Sequence, residues 1–283
     1  MERVDKLVRQ LFPGLTARQA DEAIEWGWVR QASHPLSKGS RVENASVLDV
    51  SRLRSYLEKI RKGNALLEVP VLAEQEGLWV VDKPAGMRGH PLGLDQTDTV
   101  TDWALARSPT LAGEFAEFHP TVTPHRLDTG TSGVLLVART RAVFDAWRER
   151  FKTKQVTKTY LAWCWGRAEK TRWECGKPIG RAKGKKVRYC ENGQDARPAM
   201  SRIRVVTQKS DRFLAEIVCE TGVTHQVRVH LASSGYPLIG DKSYDQEYER
   251  RIDQPAFHML RATRLESRGE AFAAPTSQFQ EKY

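Results

Sequence analysis

The sequence predicts an α+β protein, and three observations carry that expectation. Period-two apolar alternation marks short strands, and a period of three to four residues marks a few helices between them. The two do not follow one another in the regular βαβ order that a parallel sheet requires. At 283 residues, with 40% hydrophobic and 28% charged side chains, the chain can bury a substantial core in one large or two smaller domains.

Taken in order, Val4, Leu7, Val8, Leu11 and Phe12 share one face of a first helix, which Pro13-Gly14 ends. Thr16 with Gln19 three residues later forms a capping box for a second helix through Ala20, Ala23 and Ile24, which stops at Gly27. Strand-like pieces at Trp28-Val29 and Val47 to Val50 complete a small module over residues 1–50. Residues 51–70, with SRLRSYLEKIRKGN, read as a helical linker, and the main domain spans 71–283.

Within that domain Leu78 to Asp82 is a buried strand ended by Pro84 and Gly86, and Gly133 to Arg139 is a second. Thr140 caps a helix whose Val143, Ala146, Trp147 and Phe151 share a face. Thr157, Thr159, Leu161, Trp163 and Trp165 alternate as a third strand. Ser201 to Thr207 and Phe213 to Glu220 are further strands, and Thr224 caps a helix ending at Gly235. Ala262 to Glu266 and Glu270 to Ala273 flank a turn at Gly269, a closing hairpin.

Several function classes drop out. Cys164, Cys175, Cys190 and Cys219 fit neither a CxxC redox pair nor a zinc site, and His225 and His230, five apart, fall on different faces of a helix. Neither a metal nor a cofactor is expected. The opening MERVDKLVRQ lacks the apolar run of a secretory signal, and the longest apolar run, Gly133 to Ala138, is too short to cross a bilayer. A cytoplasmic protein, with no membrane partner and acting as a monomer, is expected.

The net charge of +10 is unevenly spread, since Arg139 to Arg212 holds 21 Lys and Arg against 7 Asp and Glu. Such a stripe attracts a polyanion by counterion release, and RNA is the partner it suggests; the plainer reading is a solvated basic surface. Arg181, Lys183, Lys185, Lys186 and Arg188 form its densest cluster, expected on a loop over the RNA.

The segment from Pro124 to Gly133 is a polar, glycine-punctuated loop leading into an apolar strand, where catalytic side chains are commonly held. Asp128-Thr129-Gly130 is equally ordinary turn chemistry. The wider stretch HRLDTGTSGVLLVART resembles the HRLDxxTSG signature of the RluA family of RNA pseudouridine synthases. Three more segments match that family in the same order: VVDKPAGMRGHP at 80–91, KTYLAW at 158–163 and THQVRVHLASSGYPLIGDKSY at 224–244. The resemblance covers about residues 71–283. It implies the family's fold, a central mixed, largely antiparallel sheet with a catalytic cleft, and isomerisation of specific uridines in structured RNA without a cofactor. Residues RVDKLVRQLFPGLTARQADEAIEWGWVR resemble, loosely, an S4 RNA-binding module, whose usual basic second helix is replaced here by Trp26, Trp28 and Ser33-His34-Pro35. S4-bearing members of the family point to 23S ribosomal RNA as substrate, with transfer RNA as the other option.

By the same resemblance Asp128 takes the place of the essential aspartate, Tyr160 that of the active-site tyrosine, and Arg228 that of the aspartate's basic partner. Arg126 matches the arginine that fills the gap left by the flipped nucleotide, and His125 supports the loop; both are expected near RNA, as is Lys158. The chemistry asks for these residue types. An ionised carboxylate can attack C1′ or take the C2′ proton, a guanidinium within about 4–6 Å would favour its charged form, and a tyrosine can pack on uracil and relay the C5 proton. As a plainer reading, Tyr160 is a core tyrosine between Lys158 and Ala162. Val223 replaces a basic residue that the family often carries, and Met87-Arg88-Gly89 stands where apolar residues are more usual.

Three other readings compete. A non-catalytic RNA-binding or ribosome-assembly factor is the runner-up, opposed by the joint presence of Asp128, Tyr160 and Arg228. A hydrolase using Ser132 lacks the GxSxG elbow, and a retaining glycosidase lacks a second positioned carboxylate.

Overall fold

The computed structural model describes residues 1–115, 121–183, 189–252 and 254–282. The amino-terminal module opens with helices α1 (Val4–Leu11) and α2 (Ala17–Glu25). The Thr16–Gln19 box forms as the sequence predicts: Thr16 Oγ1 accepts from the Gln19 amide at 3.2 Å and Gln19 Oε1 from the Thr16 amide at 3.0 Å. The expected strand at Trp28-Val29 begins two residues later, at Arg30–Gln31, because Gly27 at φ +66 turns the chain and the Trp28 amide bonds back to Ala23. Arg30–Gln31 pairs with His34–Pro35 and with Leu48–Asp49.

Where the pattern suggests a linker, Ser51–Ile60 forms α3, and its Leu53, Leu57 and Ile60 sit in the same core cluster as Val4, Val8, Ala20 and Ile24. Their i, i+4, i+7 spacing gives α3 an apolar face that must be covered, and the module covers it. Leu94, from the loop ahead of the next helix, joins this cluster. The Leu94 amide donates to Glu22 Oε2 at 2.8 Å and its carbonyl accepts from the Tyr56 hydroxyl at 2.6 Å, so the module is seated on the main domain.

Among the described residues nine strands make one mixed sheet: β1 (Val71–Gln75), β2 (Leu78–Lys83), β3 (Ser132–Ala138), β4 (Thr157–Trp165), β5 (Arg172–Cys175), β6 (Ser201–Gln208), β7 (Arg212–Cys219), β8 (Leu260–Ser267) and β9 (Glu270–Ala273). The order is β5-β6-β7-β4-β8-β3-β2-β1, with β9 also on β8, and every pairing is antiparallel except β8 with β3. The predicted α+β class, with a largely antiparallel central sheet, is what forms. At the parallel junction Gly133 has φ +111, and a Cβ there would lie 2.0 Å from the Ala262 carbonyl oxygen, so only glycine allows the two backbones to meet. The predicted hairpin joins β8 to β9 through Arg268 and Gly269, both at positive φ.

Helix α4 (Val100–Arg107) was not apparent from periodicity because six of its eight residues are buried, leaving little polar face to contrast. Helix α5 (Arg141–Lys152) starts at Thr140, whose hydroxyl accepts from the Val143 amide at 3.3 Å. It buries Trp147, while Ala146, expected on the same face, is exposed. Helix α6 (Gln226–Ser233) departs from expectation at its start. Thr224 does not cap it; His225 occupies the N-cap in left-handed geometry, and Gln226 Oε1 takes up the Val223 amide at 3.2 Å and the Thr221 hydroxyl at 2.9 Å. Among the described residues no helix is long and apolar enough to cross a membrane.

Candidate active site

Asp128 sits in the loop that leads into β3, and that loop is fastened from four sides. The buried Lys83 ammonium donates to the carbonyls of Pro84, Met87 and Thr129 at 2.8, 2.7 and 3.2 Å. The Gly86 amide also reaches Thr129, and the Thr131 amide closes a turn on the Asp128 carbonyl at 3.0 Å. His125 Nε2 accepts the Leu136 amide of β3 at 3.0 Å while its ring stacks on Phe151 of α5. His258, just ahead of β8, bonds the Thr131 hydroxyl at 2.9 Å and lies against Gly130, where a Cβ would come within 2.8 Å of the ring.

Arg228 faces this loop from α6 and is nearly buried. Its Nη1 donates to Asp128 Oδ2 at 3.0 Å, while Nε and Nη2 form a two-pronged bond with Asp241, at 2.8 Å each. A planar guanidinium satisfies this fork and a lysine does not. Burial opposes charge on Arg228, but the Asp241 hydrogen bonds and the two carboxylate fields more than offset it and hold the group firmly protonated. Asp241 is itself buried, which raises its pKa, but the bonds from Arg228 win and draw it below the usual carboxylate range. With Nε and Nη2 held by Asp241, the guanidinium presents its Nη1 to Asp128.

Tyr160 stands on β4 opposite Ile217 of β7 and Ala262 of β8, half-buried at the wall of a cleft of about 760 Å³. Asp128, Arg228, Leu127 and Leu260 line the same cleft. That volume accommodates a single extruded nucleotide. Burial pushes the Tyr160 phenol well above its ordinary range, so it carries its proton at neutral pH.

The remaining predicted residues separate into two groups. Arg126 is exposed at the cleft, with Arg148, Lys152, Lys154 and Arg197 also on its lining. Lys158, expected to meet RNA, also lines the cleft but is nearly buried, donating to the Thr221 carbonyl at 2.7 Å with its ammonium over Phe151; burial draws its pKa down. His125 is likewise committed to the protein, and burial pushes its pKa to about 3. Arg181, in a three-stranded ribbon, and Lys183 just after it are exposed and are not among the residues that line the cleft, and Lys185, Lys186 and Arg188 lie outside the described residues. Much of the basic stripe is already paired internally, as in Arg204 with Glu216 and Arg139 with Glu74.

Five participants were given no role in the site from sequence: Lys83, His225, Asp241, Tyr244 and His258. Four of them lie in segments already notable as motifs, Lys83 in VVDKPAGMRGHP and the other three in THQVRVHLASSGYPLIGDKSY. His225 Nε2 is 3.7 Å from Asp128 Oδ2, and its Nδ1 meets the Tyr244 hydroxyl at 2.8 Å. The Tyr244 ring underlies the Arg228 guanidinium, 5.0 Å from its centroid. Val223, which replaces a basic side chain, packs on the cluster of Ile179, Ala199 and Val229. Met87 packs on the core beside Trp103, and Arg88 and Gly89 give their carbonyls to the start of α4.

The chain shares its family and its fold with known proteins. A family model described as RNA pseudouridylate synthase matches residues 77–233. The chain is 32% identical over 263 residues to an uncharacterised RNA pseudouridine synthase of Bacillus subtilis, covering 91% of this chain and 84% of that one. It is 31% identical over 243 residues to the ribosomal large subunit pseudouridine synthase D of Nitrosomonas europaea, covering 86% and 68%. Among solved structures it is similar to human RNA pseudouridylate synthase domain containing 1, with a TM-score of 0.61 and 26% identity over 74% of this chain and 83% of that one.

Proposed function

The chain belongs to the RNA pseudouridylate synthase family and isomerises uridine in RNA, and from that premise we propose that its substrate is large-subunit ribosomal RNA and that Asp128, Arg228 and Tyr160 carry the reaction. One observation supports the residue roles above the others: the guanidinium that Asp241 holds by Nε and Nη2 turns its third nitrogen, Nη1, toward Asp128, on the wall of a nucleotide-sized cleft.

The isomerisation breaks N1–C1′, turns the base while it stays trapped, and joins C5 to C1′. Asp128 engages the ribose, either by adding to C1′ or by taking the C2′ proton, and the Arg228 hydrogen bond at 3.0 Å orients its carboxylate for either route. Tyr160 offers a flat face to the uracil. The Asp128 side chain is 17% exposed, enough for a nucleotide to reach it once flipped. Arg126 occupies the stack in its place, and the cationic lining of Arg148, Lys152, Lys154 and Arg197 draws the flanking phosphates, offsetting an unstacking cost of a few kcal/mol.

Residues 1–50, with α3, form a docking module that we assign to RNA positioning, and the protein acts as a cytoplasmic monomer. Similarity to the large-subunit pseudouridine synthase of Nitrosomonas europaea supports the large-subunit preference. Transcripts of 23S ribosomal RNA and of transfer RNA carrying tritium at uridine C5 test it. Release of label from the 23S transcript is expected, and release from transfer RNA alone would reverse the substrate assignment.

A further inference from the structure

We propose that His225 is a further catalytic residue, whose Nε2 takes the C5 proton in the last chemical step of the isomerisation; the proposal rests on the uridine-isomerising activity of this cleft. The carboxylate of Asp128 is assigned to the ribose, and the buried Tyr160 phenol already holds its proton. Another base facing the uracil is needed, and among the described residues His225 is placed for it.

The backbone of His225 is held at φ 60, ψ 17, a left-handed conformation unusual for a side chain of this size, at the residue just before α6. That conformation aims the ring into the cleft, which it lines. Tyr189 and Tyr244 brace it edge-on, with centroids 5.3 and 5.7 Å away. With Nδ1–H given to the Tyr244 oxygen, Nε2 presents its lone pair beside Asp128 Oδ2, 3.7 Å away. Burial and the positive charges of Arg228 and Arg126 disfavour the imidazolium, while Asp128 and Asp241 favour it; the balance lowers the pKa and leaves the ring neutral at pH 7. A neutral imidazole is a base, and its conjugate acid forms next to a carboxylate that stabilises it.

The step balances without a further reactant. After C5 has joined C1′, the C5–H bond breaks and its electron pair becomes the C5=C6 double bond. The N1=C6 pair moves onto N1, which gains a proton from water, and the imidazolium returns its proton to solvent.

His225→Asn is the informative variant, because asparagine accepts the left-handed backbone and retains a polar contact but is not a base. With 23S transcripts containing [5-²H]uridine, we expect kcat to fall about 10²-fold, KM to stay within a few-fold, and a primary isotope effect absent from the wild type to emerge. Transcripts containing 5-fluorouridine have no C5 proton to lose, so formation of the C5–C1′ adduct should proceed at the wild-type rate. Tyr244→Phe, which keeps His225 but frees its Nδ1, should show the same isotope effect with a smaller loss, and decides the matter if the asparagine variant does not fold. Wild-type turnover in both variants, or equal slowing on uridine and fluorouridine without an isotope effect, overturns the proposal. A wild type inactive on every RNA would instead overturn the activity on which it rests.

Discussion

Replacing Asp241 by Asn separates two things that the Arg228 fork does at once. Asp241 accepts two charge-assisted hydrogen bonds at 2.8 Å from a guanidinium that is 7% exposed. Each such bond contributes about 1.5–3 kcal/mol, and removing one partner of a buried pair costs about 3–5 kcal/mol. Asparagine keeps the shape and one acceptor but turns an amide donor toward a guanidinium donor, so the expected loss of stability is about 2–4 kcal/mol. Arg228 then swings toward Asp128, its remaining carboxylate partner, and a displacement of about 1 Å in the reacting carboxylate lowers kcat about 10²-fold. Asp128→Asn should behave oppositely. It gives up a single bond at 3.0 Å on a partly exposed side chain while the Arg228–Asp241 pair persists, so the stability loss stays below about 1.5 kcal/mol while turnover falls about 10⁴-fold or more. Urea denaturation and tritium release measure both quantities on both variants. An Asp241→Asn protein within about 1 kcal/mol of wild type and fully active would refute the reasoning, as would an Asp128→Asn protein destabilised as much as the other.

Three further outcomes follow from the same geometry. His125 and His258 are held neutral by burial, at about 3 and about 4, against an ordinary value of 6.5. Between pH 6.5 and about 4 the unfolded chain therefore binds more protons than the folded one, and stability falls as pH falls, at up to about 1.4 kcal/mol per pH unit per histidine. Denaturation across that window should show the slope, and His125→Gln should remove close to half of the two-histidine part. Arg126→Ala should leave stability within about 0.5 kcal/mol and lower kcat/KM for structured RNA about 10- to 100-fold, with a smaller loss on an unpaired oligonucleotide. Gly133→Ala sets a Cβ 2.0 Å from the Ala262 oxygen at a positive φ, so a loss above about 2 kcal/mol in urea denaturation is expected.

The strands around the site were legible because their apolar runs are long and bounded by turn residues, as at Leu78 to Lys83 and Ser132 to Ala138. The Thr16 and Thr140 caps were legible for a local reason: the hydrogen bond closes within three residues. The start of α6 was not, since Gln226 rather than Thr224 takes up the loose amide there, and that depends on where Thr221 lies in space. Helix α4 hid behind its own burial, although Thr99 and Asp102 form a capping box that the sequence does display.

At the site, Asp128 and Arg228 come from residues one hundred apart, and nothing local in either segment shows that they meet; the ordered motifs supplied that link. The same motifs left Asp241 unremarked, because a lone aspartate after a glycine reads as a turn until its buried partner is known. The burial of Lys158 was not legible because a lysine in a basic segment reads as surface, whereas its ammonium bonds the Thr221 carbonyl at the cleft wall. The plainer reading of a solvated stripe also holds in part, with several of its arginines in ion pairs on the surface.

Tritium release from [5-³H]uridine transcripts of 23S ribosomal RNA, comparing wild type with Asp128→Asn under single-turnover conditions, bears most directly on the assignment of the chemistry to this carboxylate. Stoichiometric release by the wild type, and none by a variant whose denaturation midpoint and RNA affinity match it, is the expected result. Release by Asp128→Asn at a rate near that of the wild type would contradict it.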